Sequence, residues 1–271
     1  MNVLVTGADR GIGEALCRAY RARGDRVVAA CFGDSPGLRS AGLRVEPSVD
    51  VTSTPTCCAL ADRLRRTATR IDVLINNAGV AALDRLGSLD YDKLRRLFEV
   101  NALGPLRVTE ALLDLFAPGA RVAIVTSRLG SLGDNTSGGR YGYRLSKCAA
   151  NMAGINLHQD LKQRGIAVVM LHPGQVRTAM AVLDEAVQGV EPEVAAEGLM
   201  RQIDRASPNE APAFVHAKGT LLPWSCDDQP DFTGQASLQV PQASRPAGVK
   251  LTSALGTATR RQARRNRIGR G

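Results

Sequence analysis

The chain has 271 residues, with 35 Lys and Arg against 26 Asp and Glu and a formal net charge of +9. Hydrophobic residues make up 44% and charged residues 23%, a globular composition in a chain long enough to bury a complete core. No run approaches the roughly 20 apolar residues of a membrane span, and the first residues lack the pattern of a secretory signal. The six cysteines show no metal-ligand spacing, and in a chain of this size without a secretory signal we expect them to be reduced thiols. These features favour a cytoplasmic protein without a metal site and exclude a membrane-spanning one.

The positive charge is concentrated at the end of the chain. Residues 226–271 hold eight basic and three acidic side chains, so +5 lies in these 46 residues and +4 in the other 225. Only seven of the 46 are Leu, Ile, Val or Phe, too little apolar surface to offset the entropy lost on folding. We therefore expect one domain, residues 1–225, and a disordered basic tail, residues 226–271.

The tail contains the arginine-rich stretch 260–267, which leaves contact with a nucleic acid open. No aromatic residue lies within 241–271 to stack on a base. A solubilising extension is therefore the favoured interpretation of the tail.

Segments typical of strands and of helices alternate through residues 1–225. Consecutive apolar residues predict buried strands, and apolar residues three and four apart predict helices. The predicted strands are 3–5, 27–30, 43–49, 73–75, 122–125, 167–171 and 213–216. The predicted helices are 12–20 (ended by Gly24), 56–69, 91–116 (kinked or split near Gly104-Pro105) and 143–164. This order predicts an α/β fold: a doubly wound, Rossmann-type parallel sheet with helices on both faces.

A glycine-rich turn, T-G-A-D-R-G-I-G over residues 6–13, joins the first predicted strand to the first helix. Glycines let the backbone approach a pyrophosphate closely, and the N-terminus of a helix offers free N–H groups and a positive dipole end. The spacing G-x-x-x-G-x-G differs from the G-x-G-x-x-G fingerprint of many dinucleotide-binding proteins. The position between a strand and a helix still favours a phosphate site over a plain turn.

This turn and five further motifs, in the same order, resemble the short-chain dehydrogenase/reductase family, and within it the branch of C-factor-like and sniffer-like carbonyl reductases. The motifs are Asn76-Asn77-Ala78-Gly79, Asn101, Ser127, Tyr143-x-x-x-Lys147, and Pro173-Gly174 with Val176 and Thr178. The resemblance covers about residues 1–225. It implies an NAD(P)-dependent oxidoreductase that moves a hydride between nicotinamide and a small carbonyl or alcohol substrate. The alternative is a C-factor-like signalling or binding protein with little turnover.

Tyr143 and Lys147 are four residues apart on a predicted helix, so their side chains share one face. An ammonium one turn away favours a phenolate, and we expect Lys147 to lower the pKa of Tyr143 for general acid–base catalysis. The resemblance implies that Ser127 bonds the substrate carbonyl and that Asn101 holds a water linking Lys147 to solvent. The alternatives are a strand-end serine, with Ser131 as a competitor, and an asparagine that kinks its helix.

The resemblance also implies the cofactor site. It places Asp50 at the adenine ring, although Asp50 is equally suited to cap the following helix. It places residues 77–79 around the adenine ribose and phosphates. The full set of expected cofactor-binding residues is Thr6, Gly7, Arg10, Gly11, Ile12, Gly13, Asp50, Val51, Asn77, Ala78, Gly79, Tyr143, Lys147, Pro173, Gly174, Val176 and Thr178.

The choice between NAD and NADP depends on the end of the second strand. NAD-specific folds usually place an acid there, and residues 30–34 have none directly at the strand end. NADP-preferring relatives have an arginine about where Phe32 stands, so that signal is missing too. Arg10 in the glycine turn is suited to pair with a 2′-phosphate, which favours NADP(H); a solvated Arg10 is the alternative.

Three expectations concern the substrate side. The segment 175–200 should contain the part of the chain that closes over substrate. His172 is predicted to be a packing residue, because Tyr143 already fills the proton-transfer role. The helix 143–164 carries small and apolar residues around much of its circumference, which leaves a homodimer and a monomer both open.

Overall fold

The computed structural model describes residues 1–180 and 189–225, and they build a seven-stranded sheet. The strands are β1 (Asn2–Thr6), β2 (Arg26–Ala30), β3 (Arg44–Glu46), β4 (Ile71–Asn76), β5 (Phe116–Val125), β6 (Ala167–His172) and β7 (Ala213–His216). Neighbouring strands are parallel and follow the order β3-β2-β1-β4-β5-β6-β7. The order reverses between β1 and β4, which is the point at which such sheets bind ligands.

Seven α-helices accompany the strands in the described residues. They are α1 (Gly11–Ala22), α2 (Pro36–Ser40), α3 (Thr54–Arg66), α4 (Tyr91–Phe98), α5 (Gly104–Ala111), α6 (Tyr141–Leu161) and α7 (Pro192–Arg205). A π-helical turn, Glu99–Leu103, joins α4 to α5. The predicted doubly wound α/β fold is confirmed. Within residues 1–180 and 189–225, no helix is long and apolar enough to cross a membrane.

The core has two apolar layers, one on each face of the sheet. Val3 and Val5 pack in the layer that contains Leu16 of α1, whereas Leu4 packs in the layer that contains Leu60 of α3. Fully burying one such side chain contributes about 1.5–3 kcal/mol. Because neighbouring residues of β1 face opposite layers, the strand has to be apolar throughout, and this made it recognisable in the sequence.

Several predicted boundaries are wrong. The helix predicted over 91–116 ends at Ala111, and Phe116 already begins β5. The predicted split near Gly104 is confirmed, because α5 begins at this residue, where a Cβ would lie 2.9 Å from Val51 Cγ2. The strand predicted over 43–49 spans only residues 44–46, and the five-residue helix α2 was not predicted.

The predictions for two segments lie outside the described residues. These are the disorder and arginine-rich stretch of the tail, 226–271, and the middle of the expected closing segment, 181–188. The end of that closing segment is helical. It belongs to α7, whose Ala196, Leu199 and Ile203 are buried in the same layer as α1.

Candidate active site

The glycine turn between β1 and α1 is tied to the end of β4. Thr6 Oγ1 accepts the N–H groups of Asn77 at 3.1 Å and Ala78 at 3.2 Å, and Asn77 Nδ2 donates to the carbonyls of Thr6 and Gly7. Gly7 has φ +62°, and a Cβ there would lie 2.7 Å from Ala78 Cα. A Cβ at Gly13 would collide with the Gly7 carbonyl and the Asn77 amide. The side chain of Asn77, which was expected near the adenine ribose and phosphates, therefore stabilises the glycine turn itself.

The N-terminus of α1 fits the pyrophosphate of a dinucleotide. The residue at the N-cap position, Arg10, makes no side-chain capping bond, so the first-turn N–H groups lack a side-chain acceptor. On the opposite side, a Cβ at Gly11 would lie 3.2 Å from Thr178 Cγ2. The chain after β6 thus approaches the turn closely at Gly11.

Asp50 was expected at the adenine ring and Val51 elsewhere at the cofactor, and the two residues have different structural roles. Asp50 Oδ1 accepts from the N–H of Thr52 at 2.9 Å and from its hydroxyl at 2.8 Å. Asp50 therefore caps the turn before α3, whose own N-cap residue is Ser53. Val51 is buried and packs in the core against Gly104, so its backbone is the part left for a cofactor.

Charged side chains of both signs lie near the end of β2, and a positive one favours NADP whereas a negative one favours NAD. Arg10 is exposed and forms no ion pair with any described residue. Asp34 is paired with Arg39 at 3.0 Å. Burial first, and then the nearby carboxylates of Asp9 and Asp34, raise the pKa of the Cys31 thiol to about 11. Arg10 is therefore exposed at the glycine turn without an ionic partner among the described residues, while the carboxylates of Asp9 and Asp34 lie close to the end of β2.

The N-terminus of α6 is held by a residue that the sequence did not reveal. The Asp84 carboxylate accepts the N–H of Tyr141 and, at 3.0 Å, that of Gly142, while its carbonyl accepts the N–H of Arg140 at 3.1 Å. This cap comes from a loop 57 residues away. Sequence signals for caps are local, so none pointed to Asp84.

Tyr143 and Ser127 meet in this site. Ser127 Oγ accepts the N–H of Leu129 at 3.2 Å, in agreement with the alternative of a strand-end serine, and the side chains of Ser127 and Tyr143 line one cavity. Burial raises the pKa of Tyr143, while the contact with Ser127 and the charge of Arg140 act in the opposite direction. The phenol is therefore protonated at neutral pH.

Ser131, the competitor of Ser127, has a structural position. Its hydroxyl donates to the carbonyl of Pro223 at 2.6 Å and accepts the N–H of Asp134 at 3.2 Å. It does not line the cavity. The geometry thus favours Ser127 over Ser131 as the substrate-side serine.

Lys147 lies one turn from Tyr143, as predicted, but it acts differently from the expectation. Its Nζ donates to the Val125 carbonyl at 2.9 Å, and burial lowers its pKa to about 8. The predicted lowering of the Tyr143 pKa by Lys147 is wrong, since burial dominates and raises that pKa. The ammonium is bonded to the end of β5, 5.8 Å from the ring centroid, instead of to the phenol oxygen.

Asn101 links the loop after β4 to α6. Its Oδ1 accepts the N–H of Val80 at 2.9 Å, and its Nδ2 donates to the Val80 carbonyl at 2.9 Å and to Ser146 Oγ at 3.0 Å. Ser146 in turn donates to the Tyr143 carbonyl. A Cβ at Gly79 would lie 3.3 Å from Asn101 Oδ1. Asn101 also lies in the π-helical turn, in agreement with the alternative of an asparagine that interrupts a helix, and its water-holding role stays a prediction.

The cavity that contains Tyr143 and Ser127 has a volume of about 440 Å³. Its lining includes residues expected at the cofactor, namely Ile12, Pro173, Gly174, Val176 and Thr178. It also includes the apolar residues Ala81, Leu83, Leu129 and Met180 and the basic residues Arg128, Arg140 and Arg144. The site can therefore hold a nicotinamide and a small substrate side by side at the phenol.

His172 lines the cavity and packs edge to face on His216, with 5.1 Å between ring centroids. Burial first, and then His216, lower the pKa of His172 to about 4. The ring is therefore neutral at pH 7. This geometry agrees with the predicted packing role.

Comparison with known proteins identifies relatives of the whole described chain. A family model described as short chain dehydrogenase matches residues 1–188. The chain is 50% identical over 223 residues to 1-hydroxy-2-glutathionyl-2-methyl-3-butene dehydrogenase of Rhodococcus sp. (strain AD45), covering 82% of this chain and 99% of that protein. It is 47% identical over 157 residues to C-signal of Myxococcus xanthus, covering 57% and 93% respectively. An NADPH-bound carbonyl reductase from chicken fatty liver superposes with a TM-score of 0.75 at 27% identity, over 82% of this chain and 98% of that one.

Proposed function

Because the chain belongs to the short-chain dehydrogenase family and is an NAD(P)-dependent oxidoreductase of that family, we propose that it interconverts a small carbonyl compound and its alcohol, with Tyr143 as the general acid and base. The shared cavity of Tyr143 and Ser127 carries this proposal. The same cavity is lined by Ile12 of the glycine turn and by residues 173–176 after β6.

Ser127 holds the oxygen of the substrate carbonyl beside the phenol. In reduction, the Tyr143 hydroxyl gives its proton to that oxygen as negative charge develops there, and the phenolate is then reprotonated from solvent. In oxidation, Tyr143 first loses its proton to solvent, and the phenolate oxygen then takes the proton of the alcohol. Hydride transfer to or from the carbonyl carbon is the chemistry that a nicotinamide would supply there. The raised pKa of Tyr143 keeps it protonated at neutral pH, which suits reduction.

In this proposal Lys147 holds the cofactor. Below about pH 8 it is an ammonium buried at the end of β5. It would donate to the ribose of the nicotinamide half. The hydrogen bonds from Asn101 to Ser146 and from Ser146 to the Tyr143 carbonyl fix the turn of α6 that carries Tyr143 and Lys147.

For the cofactor, we propose NADP(H). The unpaired, exposed Arg10 at the glycine turn supports this choice, because a guanidinium suits a 2′-phosphate. The chicken carbonyl reductase with bound NADPH is consistent with it. A preference for NAD(H) would be traced to Asp9 and Asp34, whose carboxylates lie near the end of β2.

The Rhodococcus relative supports a second candidate for the physiological direction and substrate. Its name describes a dehydrogenase that acts on a hydroxyl-bearing glutathionyl compound, and the identity of 50% extends over nearly all of that protein. An alcohol attached to a glutathionyl group is therefore a candidate substrate to be oxidised at the same Tyr143 and Ser127. The similarity to C-signal keeps signalling as the alternative to turnover.

A turnover assay separates these possibilities. The purified chain is mixed with NADPH or NADH and a panel of aldehydes and ketones, and with NADP⁺ or NAD⁺ and the corresponding alcohols, including a glutathionyl alcohol. We expect turnover in at least one direction, with the phosphorylated cofactor preferred. Tight binding of the cofactor without turnover on the whole panel would overturn the proposal and support the signalling alternative.

A further inference from the structure

One guanidinium in the cavity wall lacks an ionic partner. Arg144 directly follows Tyr143 on α6 and lines the same cavity. Its Nη2 donates to Ser137 Oγ at 2.9 Å, whereas its Nε and Nη1 are buried and bond to no atom of the described chain. Arg128, in the same wall, is neutralised by Asp134 at 2.7 Å. Arg144 has no equivalent carboxylate within residues 1–180 and 189–225.

The guanidinium of Arg140 lies near that of Arg144. Burial first, and then the nearby Arg140, lower the pKa of Arg144. The described wall of the cavity contains three arginines and no aspartate or glutamate. Removing a guanidinium from water without a counter-charge is unfavourable, so an anion that enters this cavity would gain the ionic interaction with Arg144.

The geometry of the side chain selects the kind of anion. A guanidinium presents pairs of parallel N–H groups that match the two oxygens of a carboxylate. The bond to Ser137 fixes the plane of the Arg144 guanidinium, so less side-chain freedom is lost when a carboxylate binds. The neighbouring apolar residues, such as Leu83 and Leu129, suit an uncharged body between the carboxylate and the reacting carbonyl.

We propose that Arg144 binds a carboxylate of the substrate, so that the preferred substrates are small aldehydes or ketones, or the matching alcohols, that carry a carboxylate at the end remote from the reacting carbon. This inference rests on the carbonyl–alcohol chemistry proposed above and adds the substrate class to it.

The test compares two aldehydes that differ in charge but present the same reacting group, 4-carboxybenzaldehyde and its methyl ester. Their kcat/KM values are measured with saturating NADPH for the wild type, Arg144→Met, Arg144→Lys and Arg66→Met. Arg66 is an exposed arginine of α3 outside the cavity wall, so Arg66→Met is the matched control for loss of one positive charge.

We expect the wild type to prefer the acid over the ester by about tenfold or more, since one charged contact is worth at least 1.4 kcal/mol. Arg144→Met should remove the preference, mainly through KM, while Arg144→Lys keeps part of it and Arg66→Met all of it. Equal use of both aldehydes by the wild type, or an unchanged preference in Arg144→Met, would overturn the proposal. A loss of NADPH affinity in Arg144→Met as large as the loss of preference would also overturn the proposal, because Arg144 would then bind an anionic group of the cofactor.

A second measurement does not depend on turnover. The shift in the unfolding temperature caused by benzoate, in the presence of NADP⁺, is compared with that caused by benzamide for the wild type and Arg144→Met. Stabilisation by benzoate alone, lost in Arg144→Met, supports the carboxylate site even if neither aldehyde is reduced, in which case only the proposed reaction fails. Equal stabilisation by both compounds overturns the carboxylate site.

Discussion

The Nζ of Lys147 lies 5.8 Å from the centroid of the Tyr143 ring and donates to the Val125 carbonyl, not to the phenol. The pair therefore shares a helix face without an ion-pair-like contact between its polar atoms. Burial controls both side chains: it raises the pKa of Tyr143 and lowers that of Lys147. Burying the Lys147 ammonium without a counter-charge lowers the stability of the fold, and the proposed function of Lys147 requires this cost.

Lys147→Met tests that cost. Burial lowers the pKa of Lys147 from its usual 10.5 to about 8 in the folded state, so between these values the unfolded chain binds more protons and stability rises with pH. We expect Lys147→Met to unfold at higher urea concentration than the wild type at pH 7, with a difference that shrinks toward pH 10.5, and to lose turnover. The other titrating groups are common to both proteins, so the difference isolates Lys147. A difference that does not vary with pH would contradict the assignment.

Asp84→Ala tests the cap on the catalytic helix. The substitution leaves the N–H groups of Tyr141 and Gly142 without their acceptor, and a lost cap costs about 1 kcal/mol. We expect this loss in urea unfolding together with a lower kcat, because the start of α6 positions Tyr143. Asp90 accepts the N–H groups of Asp92 and Lys93 at the start of α4, so Asp90→Ala is the control that loses similar stability. Equal effects of the two substitutions on kcat would show that Asp84 has no positioning role.

Arg10→Gln tests the cofactor preference. If Arg10 pairs with the 2′-phosphate, the substitution should raise the Kd for NADPH by about tenfold and leave that for NADH nearly unchanged. The quenching of intrinsic fluorescence by each nucleotide gives both constants. A parallel change in the two affinities would contradict a contact to the 2′-phosphate. Asp9→Asn is the companion variant, expected to strengthen NADPH binding by removing a nearby negative charge.

Gly13→Ala tests the close packing of the glycine turn. A Cβ at Gly13 would meet the Gly7 carbonyl and the Asn77 amide, so the turn must open and lose its fit to the phosphates. We expect a large loss of NADPH affinity and a lower unfolding temperature. The control is Gly37→Ala in α2, where a Cβ meets only Arg18 Nη2 at 3.8 Å, an ordinary contact. Unimpaired NADPH binding by Gly13→Ala would show that the turn tolerates a side chain.

The sequence was sufficient for features that depend on local patterns. Buried strands such as β1 are apolar on consecutive residues, and the spacing of Tyr143 and Lys147 follows from helical geometry alone. It was insufficient wherever two distant segments meet. The cap that Asp84 places on α6, the use of the Asn77 amide inside the glycine turn and the direction of the Lys147 ammonium all depend on tertiary contacts. The missing counter-charge of Arg144 is likewise a property of the assembled cavity, which no residue spacing could indicate.

The most direct test of the account is the kcat of Tyr143→Phe, which removes one hydroxyl and keeps the ring. The account predicts that kcat falls by about 10²–10⁴-fold, the usual contribution of a general acid, while the Kd for NADPH stays close to that of the wild type. The retained cofactor affinity separates a lost proton donor from a damaged fold. A Tyr143→Phe enzyme that reduces its substrate at the wild-type rate would contradict the assignment of Tyr143 as the general acid.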